Sequence, residues 1–303
     1  MAGLSSMTRR FSLIAGLLAA CAPAWLDAQE MRLPAMPNSV RFLVLGDAGT
    51  GEREQYEVAA QILRYYREFP FTFAIMLGDN IYGQERPQDF ARKFERPYKA
   101  LLDAGVKFHA ALGNHDDPNQ RYYKPFNLDG QRYRTFKEGN VRFFIIDSNY
   151  LDPDQVKWLE KELEASDSEW KIAYFHHPLY TTARRGPEVE LREILEPLFV
   201  KYGVDVVFTG HEHIYERFKP QQGIHHFLVG GAAKLRRGDI RRGPLTAASF
   251  ARDRSFAIVE IIDNKMFFQV ISRTGAAVDE GILTTRETAD ATSASVLPLV
   301  RSP

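Results

Sequence analysis

Val204-Asp205-Val206-Val207-Phe208-Thr209-Gly210-His211-Glu212-His213 runs from an apolar, β-branched segment into two histidines. Such a segment, stopped by a glycine and a short polar stretch, describes a buried strand feeding a loop. Both imidazoles are thereby delivered to the carboxyl end of a strand, where open α/β sheets keep their chemistry. Separated by one residue, they cannot share a face of a helix, but on a loop they can reach two neighbouring metal ions. His211 and His213 therefore ask for partners elsewhere in the chain.

The same pattern recurs upstream. Residues 41–45 read as a strand ending in Gly46-Asp47-Ala48-Gly49, residues 71–77 as one ending in Gly78-Asp79-Asn80-Ile81-Tyr82, and residues 106–112 as one ending in Gly113-Asn114-His115-Asp116. Residues 141–147 form a further strand, and residues 170–175 run into His176-His177-Pro178. Helices fall between them. Val58, Ala59, Ile62, Leu63 and Tyr66 have helical spacing, residues 88–103 read as a charged helix, and Asp152-Pro153 supplies an N-cap and a first-turn proline for a helix over 154–165. Residues 188–202 read as a helix kinked at Pro197. After the opening stretch come strands at 224–229, 255–262 and 265–272, the last two joined at Asp263-Asn264 as an antiparallel hairpin. The fold class is α/β with mixed sheets.

Composition sets the outer limits. A chain of 303 residues, 45% hydrophobic and 26% charged, fits one large domain or at most two. Zero net charge gives no reason to expect a nucleic-acid surface. The only cysteine, Cys21, excludes an intramolecular disulfide and a cysteine-based zinc site, so any metal must sit on His, Asp, Asn and Tyr. Thr8-Arg9-Arg10 before the apolar residues 11–20 reads as an export signal, too short for the roughly 20 residues of a spanning helix. The paired arginines resemble a twin-arginine signal, although Ser12 stands where that pattern usually has phenylalanine. Leu18-Ala19-Ala20-Cys21 has the form of a lipobox, which would anchor the mature protein by a lipid on Cys21; ordinary cleavage after Ala24 or Ala28 is the other reading. The domain plan is thus a targeting segment and linker over 1–36, a globular domain over 37–283 and a loosely ordered tail over 284–303.

Asp47, Asp79, Asn114, His176, His211 and His213 all lie at or just beyond strand ends, a mixed nitrogen and oxygen set that suits first-row transition metals. A carboxylate bridging two ions holds them roughly 3.5–4 Å apart, as in two-metal hydrolytic sites. Alone, an aspartate after a strand is usually a turn residue or a helix cap. Five strand ends carrying donors in one order outweigh that reading.

In order, Asp47-Ala48-Gly49, Gly78-Asp79-Asn80-Ile81-Tyr82, Gly113-Asn114-His115-Asp116, Ala173-Tyr174-Phe175-His176 and Gly210-His211-Glu212-His213 resemble the five motif blocks of the calcineurin-like metallophosphoesterases. More narrowly they are similar to purple acid phosphatases of the tartrate-resistant type. Most of the wider family carries Asp-x-His in the first block, whereas this chain has Gly49 there and offers Tyr82 three residues after Asp79. Ile214-Tyr215-Glu216-Arg217 extends the match, which covers about residues 41–272. The resemblance implies a four-layer αββα sandwich of two mixed sheets flanked by helices.

It also implies two metal ions: a ferric ion held by Asp47, Asp79, Tyr82 and His213, with Asp79 bridging, and a divalent iron, zinc or manganese held by Asn114, His176 and His211. A phenolate is a hard anionic donor that a trivalent ion can deprotonate despite a free pKa near 10. Two cations neutralise phosphoryl oxygens and make hydroxide available for in-line attack on phosphorus. His115 is the candidate general acid for the leaving oxygen, with Asp116 beside it as an orienting carboxylate. His177 is expected to pack or to bind substrate.

The chain also departs from the pattern. Family members often carry a phosphate-contacting histidine some ten residues after the fourth-block ligand, where this chain reads Thr181-Thr182-Ala183-Arg184-Arg185-Gly186. Arg184 or Arg185 is expected to hold phosphate instead, against the plainer reading of a solvated basic loop. A second basic loop, Lys234, Arg236 and Arg237, reads as solvent-facing. The expected function is hydrolysis of small phosphomonoesters outside the cytoplasm. A phosphodiesterase or nucleotidase on the same metals, and a surface-anchored binding protein with a vestigial site, are the alternatives. Substrate, second metal and oligomeric state stay open.

Overall fold

The computed structural model describes residues 32–286, so the targeting segment with Cys21, and the tail beyond residue 286, lie outside the described residues. The first half runs β1 (Val40–Leu45), α1 (Arg53–Glu68), β2 (Phe73–Leu77), α2 (Pro87–Phe90), a π-helical turn (Ala91–Glu95), α3 (Lys99–Asp103), β3 (Lys107–Ala111), β4 (Arg134–Glu138) and β5 (Val141–Ile145). The second half runs α4 (Pro153–Glu164), β6 (Trp170–Phe175), α5 (Val189–Lys201), β7 (Val206–Thr209), β8 (Tyr215–Phe218), β9 (His225–Val229) and β10 (Thr246–Phe250). It closes with β11 (Ser255–Ile262), β12 (Lys265–Ser272) and β13 (Ala277–Thr284).

Two mixed sheets result. One is ordered β13-β12-β11-β1-β2-β3, with β1, β2 and β3 parallel; the other is ordered β10-β8-β9-β7-β6-β5-β4, with β5, β6, β7 and β9 parallel. Side-chain alternation explains why they stack. Phe143 and Ile145 of β5 join the core between the sheets, whereas Phe144 and Ile146 join a second core beneath α4 and α5. Across the inner face Phe42 meets Phe143 edge-on at 5.3 Å, and Phe227 meets Phe268 at 5.0 Å. On the outer face of the first sheet, α1 lays down the buried residues Val58, Ala59, Ile62 and Tyr65, with Tyr65 against Phe256. The layers are helix, sheet, sheet, helix, as the family resemblance implies.

Asp152 caps α4 by accepting from the Gln155 amide at 2.8 Å, and α5 runs through Pro197. The helix expected over 88–103 is broken. Pro97 has no amide to continue it, and the π-helical turn before it swings Lys93 inward, where its ammonium donates to the carbonyls of Tyr82 and Gln84 at 2.6 and 2.7 Å. Strands β4, β8, β10 and β13 were not foreseen; Thr284, placed with the tail, is the last residue of β13.

His109 lies in the inner core, stacked on Phe136 at 4.0 Å, and neither ring nitrogen has a hydrogen-bond partner. Burial pushes its pKa down from 6.5 to about 4, so a proton prefers the unfolded chain. Stability held above the ordinary histidine range is lost as pH falls towards the folded value. From neutral pH to about pH 4.5, wild type should lose about 2–3 kcal/mol more than His109→Phe in denaturant titrations. Equal losses would place the acid sensitivity elsewhere.

Candidate metal centre

Six of the seven expected ligands are placed by parallel strands of both sheets, at their carboxyl ends: Asp47 after β1, Asp79 after β2, Asn114 after β3, His176 after β6, and His211 and His213 after β7. Tyr82 arrives on the loop after β2. Asp47, Asp79 and His211 adopt left-handed backbone, with φ of 58°, 53° and 70°. Non-glycine residues pay for that conformation, and such strain gathers at functional sites.

The donors form two groups. In the first, the Tyr82 hydroxyl donates to Asp47 Oδ1 at 3.0 Å and lies 3.3 Å from His213 Nε2, which is itself 3.3 Å from Asp47 Oδ1. In the second, Asn114 Oδ1 lies 3.0 Å from His176 Nε2 and 2.9 Å from His211 Nδ1, and those two nitrogens are 3.1 Å apart. Asp79 acts on both, with Oδ1 3.4 Å from His176 Nε2 and its charge felt by Asp47 and Tyr82. His176 donates Nδ1–H to the Leu77 carbonyl at 2.9 Å, which aims Nε2 into the cluster.

Electrostatics tests the fit to metal. Burial, and then the Asp79 charge, raise Asp47 well above the usual carboxylate range. Burial also raises Tyr82, with Asp47 and Asp79 adding to the effect. Burial, then neighbouring imidazoles, push His176 far down, and burial holds His213 at about 4. Anionic donors are thus forced towards protonation and imidazoles towards neutrality, the condition that cations relieve. Hard oxygen donors with one imidazole gather on one side of Asp79 and two imidazoles with an amide oxygen on the other, so the residues fit two metal ions.

Gly49 makes the departure from Asp-x-His a packing matter. A Cβ there would fall inside the Asn80 carbonyl, while the Gly49 carbonyl accepts from the Tyr82 amide at 2.9 Å. The backbone from Asn80 to Tyr82 therefore closes over residue 49 and leaves room for glycine alone.

His115 is exposed beside Tyr82, with ring centroids 5.1 Å apart, and its amide donates to Asp79 Oδ1 at 3.0 Å. Asp116 does not orient it. Its carboxylate accepts from the Gly113, Asn80 and Ile81 amides at 2.8, 3.1 and 3.0 Å, and from the Asn80 and Gln120 side chains. Those bonds tie the β2 loop to the β3 loop. Burial and the Asp79 charge push Asp116 up to about 7. His177 shares its Nδ1 with Ser148 Oγ at 2.9 Å and faces a cavity of about 380 Å³ lined also by Asn114, Tyr150 and Glu188.

The two loop arginines part company. Arg185 Nη1 donates to His211 Nε2 at 2.9 Å, whereas Arg184 turns to Asp239, 3.8 Å away. The second basic loop is not simply solvent-facing. Lys234 lies over the Tyr82 ring at 4.7 Å, and Arg236 donates to the fully buried Glu212 at 2.7 Å. Glu212, between the two histidines of the opening motif, was passed over in the sequence although a buried carboxylate must find a cation. Asn80 and Glu216 were passed over too. Glu216 is buried and accepts from both Thr181 and Thr182, fixing the loop that carries Arg185.

A family model described as calcineurin-like phosphoesterase matches residues 40–215. The chain is 27% identical over 252 residues to purple acid phosphatase 17 of Arabidopsis thaliana, covering 71% of this chain and 75% of that protein. It is 25% identical over 309 residues to human tartrate-resistant acid phosphatase type 5, covering 84% and 95%. Among solved structures it superposes on a purple acid phosphatase from yellow lupin seeds with a TM-score of 0.69 at 19% identity, over 83% of this chain and 55% of that one. GAP50, the anchor in the inner membrane complex of Plasmodium, gives a TM-score of 0.69 at 18% identity, over 88% and 98%. At such identities the two structures show the shared fold.

Substituting Gly49→His would restore the commoner motif on paper. Because the obstacle is backbone, the variant should lose about 3 kcal/mol of stability. Thermal unfolding measures it, and an unchanged midpoint would mean that the Asn80 loop yields easily.

Proposed function

For this chain, which belongs to the calcineurin-like phosphoesterase family of metal-dependent phosphoester hydrolases, we propose an acid phosphatase activity on small phosphomonoesters. The observation that carries it is the phenol of Tyr82 meeting Asp47 and His213 on one side of Asp79, while Asn114, His176 and His211 meet on the other. Asp47, Asp79, Tyr82 and His213 would hold a ferric ion; Asn114, His176 and His211, sharing Asp79, would hold ferrous iron, zinc or manganese. When bound, the pair supplies charge neutralisation for the phosphoryl oxygens and a water acidic enough to serve as nucleophile.

The chain's own side chains do the rest. His115, exposed at the mouth with no hydrogen bond on its ring among the described residues, donates the proton that the leaving oxygen needs. Arg185, half-exposed beside His211, offers its guanidinium to a phosphoryl oxygen in place of the histidine that relatives often carry. His177, steadied by Ser148, borders the space where a leaving group sits. Asp116 keeps the loops of Asp79 and Asn114 together and acts through position alone.

Export belongs to the same proposal. It rests on the arginine pair and apolar run over residues 9–20, and a lipid on Cys21 would keep the domain over 37–283 at the cell surface. Among the described residues no helix is long and apolar enough to cross a membrane.

The deciding experiment compares an aryl phosphomonoester with the matching diester, on metal-loaded protein at acidic and neutral pH. A strong monoester preference at acidic pH is expected, and a diester preference would overturn the reading. His115→Asn tests the proton donor. It should lower kcat/KM for an alkyl phosphate by about 10²–10⁴ while sparing a nitrophenyl ester, whose leaving group needs no proton. Equal losses on both substrates would remove His115 from that role.

A further inference from the structure

Overall neutrality hides a local excess of positive charge. A cavity of about 420 Å³ opens between residues 237–242 and 249–252, lined by Arg237, Arg242 and Arg252 with Ile240, Phe250 and Ala251. No carboxylate lines it. The acidic residues nearest in sequence are engaged elsewhere: Asp239 with Arg184, and Asp253 with Arg273 at 2.9 Å. Arg237 and Arg252 make no hydrogen bond or ion pair among the described residues, and Arg242 is bonded to Ser249, its Nε donating to Oγ at 2.7 Å and its Nη2 to the carbonyl at 3.2 Å. Three exposed arginines border one space with an apolar side, and their like charges favour an anion among them.

The cavity is tied to the loop of the candidate metal centre through Arg236. Arg236, one residue before Arg237, donates its amide to the His213 carbonyl at 3.0 Å and its guanidinium to Glu212. The loop is built. The Gly238 amide donates to the Ala251 carbonyl, the Arg241 amide to Thr182 Oγ1 at 3.3 Å, and Ile240 packs on the small core of Ala183, Ile214, Leu228 and Ala251. Ala183 belongs to the loop that brings Arg185 to His211, so both basic loops share one apolar anchor.

We propose that this cavity is a second anion subsite, which holds another phosphate of a substrate carrying more than one while the metal centre works on the first. The proposal rests on the phosphomonoesterase reading of that centre. Guanidiniums bind phosphate by paired, charge-assisted hydrogen bonds, and an apolar floor strengthens them by excluding water. Selectivity would then lie in KM: the extra phosphate adds binding away from the reacting phosphorus.

The test uses alkanediol bisphosphates of increasing chain length against the matching alkyl monophosphates, with nitrophenyl phosphate as the reporter of basal chemistry. Wild type should favour the bisphosphate at one length by about tenfold in kcat/KM, carried by KM and shrinking as salt rises. The Arg237→Ala/Arg252→Ala double variant should lose that preference with nitrophenyl phosphate turnover intact. No preferred length in wild type, or an undiminished preference in the variant, would overturn the proposal. If no ester is turned over at all, the metal-centre reading fails, and calorimetry with inorganic tripolyphosphate judges the cavity alone: binding that the double variant abolishes upholds an anion site, and absent binding removes it. Loss of binding to phosphatidylglycerol vesicles, with bisphosphate kinetics unmoved, would assign the arginines to a membrane surface and overturn the substrate proposal.

Discussion

Two buried carboxylates, a phenol and three imidazoles face one another across a few ångströms, and every other feature of the site answers to that crowding. Without compensating positive charge the anions repel, and burial keeps the imidazoles neutral and free to take a cation. The same cluster joins the two sheets. Asp47, after β1, accepts from the His211 amide at 2.9 Å, and His176, after β6, bonds to the Leu77 carbonyl at the end of β2. The seam between the sheets and the metal centre are therefore one set of bonds, and the left-handed backbone at Asp47, Asp79 and His211 is held in place by both.

Around that seam, buried polar side chains fix the loops. Asp116 gathers amides from two of them, Lys93 is drawn under the Tyr82 loop by the π-helical turn, and Glu216 fastens Thr181 and Thr182. Each is a charge taken out of water and therefore costly unless fully bonded. What they secure is the position of Tyr82, Asn114 and Arg185, residues on loops that could otherwise move. Catalytic geometry in this fold is thus held from beneath, by residues that need not touch substrate.

Much of the fold was legible because it is written in local pattern. β6, β11 and β12 fall where β-branched and aromatic runs end in turn residues, and the five strand-end clusters could be read in order. β4, with Arg134, Lys137 and Glu138, and β8, with Glu216 and Arg217, were hidden because their polar residues gain strand geometry only from pairing with distant neighbours. The break in residues 88–103 had its cause in view at Pro97, but the inward turn of Lys93 depends on carbonyls of the Tyr82 loop. The candidate donors were readable for a similar reason: they sit within a few residues of strand ends. The direction in which Asp116, Arg184 and Lys234 point was not readable, since adjacency in sequence says nothing of which partner a flexible side chain finds in space.

The claim at the centre is that these donors hold two ions and not one. Anomalous diffraction from crystals grown without chelator, collected across the iron, zinc and manganese edges, addresses it directly. Two peaks roughly 3.5–4 Å apart, with Asp79 between them, are expected. A single peak beside His176 and His211, or none near Asp79, would contradict a dinuclear centre.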